Sequence, residues 1–160
     1  ERINPSAITW FEFQFGENNN LHYDAVIIDP ENKRLLLIES KRFSNPHTKI
    51  ESIANDIDRI QNVKNKYSPD FMSRIPDISN YQIFGVILAD VWTETRKKKQ
   101  IYDSFVAGTF ITDFLEDNLI KYPSLHNATY YVGDFDNLPC DAPKRDVLQT
   151  YHLVSFAWEI

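Results

Sequence analysis

From Trp10 to Phe15 the chain alternates, with Phe11, Phe13 and Phe15 on one side and Trp10, Glu12 and Gln14 on the other. A period of two predicts a half-buried strand. Gly16 to Asn20 is turn material, because Gly and Asn tolerate positive φ. His22 to Ile28 reads as a second strand, rich in β-branched residues. Asp29 to Lys33 supplies the next turn, and Arg34 to Phe43 a third strand that opens on Leu35-Leu36-Leu37-Ile38. Three strands joined by short turns make a meander.

The period then changes. Asn45-Pro46 is one helix-start signal, and Thr48-Lys49-Ile50-Glu51 has the form of a capping box. Ile50, Ile53, Ala54, Ile57, Ile60, Val63 and Tyr67 fall on one stripe, which predicts an amphipathic helix to about Tyr67. Ser68 to Asn80 reads as a loop. Tyr81 to Ala89 is a strongly apolar, buried central strand, with a parallel neighbour as one expectation. Lys98 to Ile120 is expected to be one well-buried helix, and Thr129–Val132 and Tyr151–Ile160 two last strands, separated by a loop holding Pro139 and Pro143. The order β-β-β-α-β-α-β-β implies an α/β fold with a mixed β-sheet flanked by helices.

Length and composition narrow the class. The 160 residues suit one domain spanning 1–160, and with only 4 Gly and 14% aromatics the chain is neither disordered nor low in complexity. The lone Cys140 excludes an internal disulfide and favours a reducing, cytoplasmic home. No apolar run approaches the ~18–20 residues that span a bilayer, and no signal peptide is visible. The start at Glu1 instead of Met suggests a domain cut from a longer chain. The net charge of −6 counts mildly against a nucleic-acid enzyme. Basic residues do cluster, at Lys64–Lys66 and at Arg96-Lys97-Lys98-Lys99, and clusters can create a local positive field. Their plainer reading is a solvated face.

Chemistry enters with the second hairpin. If its turn is centred between Glu31 and Asn32, residues whose numbers sum to 63 oppose each other, as Asp24 and Glu39 do. Directly opposed residues have Cβ atoms roughly 4.5–5.5 Å apart. Lys41, two residues beyond Glu39, points to the same side of its strand. Two opposed carboxylates repel unless a positive group sits between them. Oxygen ligands so spaced suit a hard ion such as Mg²⁺. A metal held there polarises a phosphate and acidifies a bound water, and a lysine beside it stabilises developing charge. Asp29 is a worse first acid, because it sits in the turn about five residues from the level of Asp24, roughly 16 Å away at strand rise.

Asp24, a gap of 14 residues, and Glu39-Ser40-Lys41, within the strings HYDAVIID and LLLIESKRF, resemble the PD-(D/E)XK nuclease superfamily over roughly Trp10 to Ala89. The resemblance implies a restriction-endonuclease-like fold and Mg²⁺- or Mn²⁺-dependent endonuclease activity on phosphodiesters, DNA foremost. It assigns Asp24 and Glu39 as metal ligands, the Ser40 backbone carbonyl as a further ligand, and Lys41 as the catalytic lysine. Tyr23 stands where the family name has proline, and there is little room for the helix that often precedes the first strand with another acid. Glu12 is the best substitute: with a turn centred near Asn18 it opposes Asp24 on the polar face. Gln61, on the following helix, is another residue that could face the site. The implied partners are nucleic acid, further domains of a parent chain and a second copy in a homodimer, with no membrane.

Other constellations are thin. His22, His47, His126 and His152 lack metal-ligand spacing, and one Cys rules out a thiolate zinc cluster. His22 shares the side of Asp24 and could touch metal or substrate. His126-Asn127 lacks the remaining histidine of an HNH pattern. There is no Gly-rich phosphate loop and no G-x-S-x-G elbow, and Cys140 has no evident base. Trp92, ahead of the basic run, is the aromatic that could stack on a base. The rival expectation from another class is a catalytically inactive nuclease-like domain serving as an interaction or scaffold module.

Overall fold

Strand β1 (Ile8–Phe15), β2 (Leu21–Asp29) and β3 (Arg34–Arg42) form an antiparallel meander in the structure of the chain, a computed structural model. It describes residues 6–15, 21–64, 75, 78–93, 95–139 and 148–160, the side chains of 78, 136–139 and 148–150 excepted. The turn at Gly16–Asn20 and Tyr67, Lys66, Cys140 and Pro143 therefore lie outside the described residues. The β2–β3 register follows from its turn. The Asp29 carboxylate accepts from the Asn32 backbone N–H at 3.1 Å and from its Nδ2 at 2.7 Å. Lys33 takes a left-handed φ of 52°. A side chain that closes its own turn leaves one register, and Ala25 pairs with Ile38 and Val26 with Leu37, as the sum of 63 requires.

Helix α1 (Pro46–Gln61) begins at Pro46 with Asn45 at the N-cap. The expected capping box is not used: Thr48 already lies inside the first turn, its hydroxyl donating to the Asn45 carbonyl at 3.3 Å. Ile53, Ile57, Ile60 and Val63 are all buried, and each contributes about 1.5–3 kcal/mol by leaving water. After α1 the chain enters β4 (Gln82–Trp92), which runs parallel to β3, with Glu39 level with Ile87 and Lys41 level with Ala89. Strands β5 (Thr129–Pro139) and β6 (Leu148–Glu159) complete a six-stranded mixed sheet of order β1-β2-β3-β4-β6-β5. The fold is thus α/β, a mixed sheet flanked by helices. Both last strands are longer than the apolar runs that announce them, because ladder pairing with β6 extends β5 through Asp134, Phe135 and beyond.

The second long helix is a correction. Lys98 to Ile120 is three pieces: α2 (Arg96–Ala107), α3 (Phe110–Phe114) and α4 (Glu116–Lys121). Gly108, at φ 70°, ends α2: its N–H bonds to the Phe105 carbonyl at 3.1 Å, and the Thr109 N–H reaches the Ser104 carbonyl at 2.8 Å. That is a Schellman closure, which satisfies the last carbonyls and turns the chain. No described helix is long and apolar enough to cross a membrane.

A second correction concerns β1. Phe13 and Phe15 are buried, but Phe11 is 73% exposed. The alternation slips at Glu12, whose φ of 50° is left-handed, so Trp10 and Phe13 come together edge to face at 5.3 Å.

Gly85 on β4 faces Trp158 on β6, and a Cβ there would lie 2.4 Å from the indole. Gly85→Ala is therefore expected to destabilise the fold by about 1–3 kcal/mol through overpacking against a ring that cannot yield. Urea unfolding followed by tryptophan fluorescence would register it, and an unchanged midpoint would mean the sheet relaxes freely at this crossing.

Candidate active site at the end of the β2–β3 hairpin

The β2–β3 ladder runs from Asp29/Arg34 to Ala25/Ile38 and ends there. Asp24 and Glu39 are next in register. Where the ladder stops, the Asp24 side chain takes over: its Oδ2 accepts the Ser40 backbone N–H at 2.6 Å and the Ser40 hydroxyl at 2.9 Å. Asp24 is thereby fixed at the mouth of the hairpin, still partly open to solvent.

Glu39, one residue earlier on β3, is 2% exposed. Burying a carboxylate costs several kcal/mol unless it is paired, and here both oxygens are engaged. Arg59 of α1 binds Oε1, and Lys41 Nζ lies 3.4 Å from Oε2. A second buried acid, Asp56 on α1, closes the figure, with Lys41 Nζ at 2.7 Å from one oxygen and Arg59 Nη2 at 2.7 Å from the other. Each cation thus touches both carboxylates. Asp24, whose charge also acts on Lys41, stands beside this closed square.

The square shows in the titration of its members. Burial, and then the charge of Asp56, push the Glu39 carboxyl above its ordinary value, against the opposing pull of Arg59 and Lys41. For Lys41 burial alone would lower the ammonium, but its hydrogen bond and charge pairing with Asp56, helped by Glu39 and Asp24, outweigh burial and raise it. Burial likewise works against the Arg59 charge and is outweighed by Glu39 and Asp56. Both cations therefore stay charged at neutral pH.

Asp24, Glu39 and Lys41 come together at one end of one hairpin. Two further residues of the cluster, Asp56 and Arg59, were not expected. Asp56 carried a signal: it falls three residues after Ile53 and one before Ile57, inside the buried stripe of α1, where an acid is out of place unless it meets a cation. Arg59 then follows as its i+3 neighbour. Gln61, by contrast, turns to Ser124, its Nε2 donating to that hydroxyl at 3.0 Å.

The remaining candidates fall into two groups. Glu12 lies beside the site, as the β1–β2 register implies, since Phe11 pairs with Ala25 and Phe13 with Tyr23. Exposed His22 sits between the acids, with Nε2 3.7 Å from Glu12 and 3.9 Å from Asp24. Ser40 meets Asp24 through its N–H and hydroxyl. The basic run occupies the first turn of α2, behind the Thr95 cap, with Lys97 over the Phe114 ring and Lys99 paired to Asp103 at 2.8 Å. Since β4 is parallel to β3, the chain enters α2 from the sheet end that carries Lys41. Trp92 packs edge to face on Tyr151, at 5.2 Å, which accounts for its apolar surface without a base to stack on. Lys64 donates to the Ile160 carbonyl at 2.6 Å.

Among the described residues no three His, Cys, Asp or Glu side chains form a metal-holding group. Asp24 and Glu39 supply two hard oxygen donors, and the site holds three carboxylates against two cations, leaving a negative balance that suits a hard divalent ion. The Lys41 contact to Glu39 Oε2, at 3.4 Å, is the looser of its two ion pairs, so that oxygen is the one most readily released. The chain matches no protein-family model, and no curated protein and no solved structure is significantly similar to it.

Proposed function

We propose that the chain is a metal-dependent nuclease of restriction-endonuclease-like fold that hydrolyses nucleic-acid phosphodiesters, DNA first among them. The observation that carries this reading is a buried Glu39 held beside Lys41 and Asp24 at an open strand end. Buried charges contribute little net stability compared with apolar replacements, and clusters of this kind collect at functional sites.

Asp24 and Glu39 would hold Mg²⁺ or Mn²⁺, with the Ser40 carbonyl and Glu12 as the further ligands that the sequence resemblance suggests. When bound, the ion supplies a polarised phosphate and a water of lowered pKa. Lys41, cationic and only partly exposed, donates hydrogen bonds to phosphate oxygens as negative charge builds on them. Arg96, Lys97, Lys98 and Lys99 give the substrate backbone its counter-charge. Cations at a helix N-terminus oppose the helix dipole, at a cost of about 0.3–1 kcal/mol each, so their position favours anion binding over helix stability.

The alternative, an inactive interaction module, has one observation in its favour. Glu39, Asp56, Lys41 and Arg59 neutralise one another without any added ion.

Calorimetric Mn²⁺ titration of the wild type and Asp24→Ala, with plasmid nicking alongside, separates the two readings. The nuclease reading expects binding and nicking in the wild type and neither in the variant. No binding in either protein would leave the interaction module.

A further inference from the structure

Lys41 sits near the end of strand β3 on a long side chain, and a lysine so placed has many rotamers to lose. Its closest carboxylate is not its strand neighbour Glu39, at 3.4 Å, but Asp56 of α1, at 2.7 Å. Asp56 is itself buried, 4% exposed, and Arg59 one turn along holds its other oxygen. Arg59 also binds Glu39, so the helix grips both strand residues through one acid and one base.

We infer that Asp56 is a positioning residue of this site: it seats the Lys41 ammonium between its own carboxylate, at 2.7 Å, and that of Glu39, at 3.4 Å, so that the Glu39 pair stays the looser one, with Arg59 fixing Asp56 in turn. The inference rests on the nuclease reading above. Without Asp56 the nearest acid left to Lys41 is Glu39, and a full Lys41–Glu39 pair would close the oxygen that the reading assigns to the metal. Helix α1 is a rigid support for this task, because its apolar stripe is locked into the core on both sides of Asp56 at Ile53, Ile57 and Ile60. A misplacement of about 1 Å at such a group is enough to cost on the order of 10²-fold in rate.

The test compares wild type, Asp56→Asn, Asp56→Glu and Lys41→Ala in steady-state plasmid nicking, with thermal melts and ¹⁵N NMR of the Lys41 ammonium. The expected result is a kcat lower by about 10–100-fold in Asp56→Asn with KM within about twofold, the range typical of groups that orient a metal site's ligands. Asp56→Glu keeps the charge and so guards against failure to fold. It should melt near the wild type yet still lose kcat, because its longer side chain moves the carboxylate. The Lys41 ammonium should give a slowly exchanging signal in the wild type and lose it in Asp56→Asn. Wild-type kcat in Asp56→Glu, or a Lys41 signal that survives Asp56→Asn, would overturn the positioning role. Unchanged nicking in Lys41→Ala would instead overturn the placing of the chemistry at this site, and absent nicking in the wild type the nuclease reading itself; in either case the NMR comparison would still decide whether Asp56 seats Lys41.

Discussion

Alanine in place of Lys41 is expected to remove plasmid cleavage, a loss on the order of 10²–10³-fold or more in kcat. The ammonium is the cation that the hairpin itself carries, at the end where Asp24 stands, and its side chain keeps 14% exposure, enough to meet a phosphate there. Its raised pKa keeps it fully charged across the working pH range, and no proton has to be taken up before it can stabilise the transition state. Loss of Lys41 leaves Arg59 bridging Glu39 and Asp56, so the fold should survive with a smaller stability deficit than loss of Arg59 produces. Nicking rates measured beside circular-dichroism melts separate the two effects. A variant that cuts as fast as the wild type would remove Lys41 from the chemistry and with it the assignment of this site to catalysis.

Arg59→Ala should be the most damaging single change to stability. Removing one partner of a buried charge cluster costs about 3–5 kcal/mol, because the charges left behind stay buried and unpaired. Here two acids are left behind: Glu39, which loses the partner of one oxygen, and Asp56, which keeps only Lys41. The deficit should depend on pH in a definite direction. The Glu39 carboxyl already lies above its unfolded value through burial and the Asp56 charge, and Arg59 opposes that rise. Without Arg59 the rise is larger, so the folded variant holds a proton more tightly than its unfolded chain does. Stability linked to such a group grows as pH falls through the folded pKa and is lost as pH climbs above it. The gap between variant and wild type should therefore narrow from pH 7 down into the carboxylate range. Guanidinium unfolding at several pH values measures this, and a loss below about 1 kcal/mol at pH 7 would mean that water reaches the cluster and screens it.

Local information was enough for much of this molecule. Alternation identified the strand around Phe13, β-branched and aliphatic runs those around Tyr23 and Leu37, and 3.6-residue spacing the stripe of α1, because these signals depend only on a residue's own segment. The hairpin register was equally legible, since the Asp29 side chain sets the turn from within four residues. That register is what brought Asp24, Glu39 and Lys41 together on paper. Where local rules conflicted, reading from sequence went astray. Gly108 lay in an apolar stretch that looked helical, and its freedom at φ 70° ended the first of the three helices into which that stretch divides. Glu12 looked like one polar residue in an even alternation, but its left-handed backbone turned Phe11 outward.

What the sequence could establish about the site was its covalent half: two acids and a lysine on one hairpin, with spacing that implies a shared end. The tertiary fold decided what surrounds them. Asp56 and Arg59 are 15 and 18 positions beyond Lys41 and join it only because α1 crosses back over β3 and β4. The same crossing buries Glu39, raises its carboxyl and aims Lys41 at Asp56. Burial and through-space charge have no period along a chain. They arise from the approach of segments whose distance in sequence carries no signal, and so the electrostatics of this site belong to the packing of a helix against a sheet.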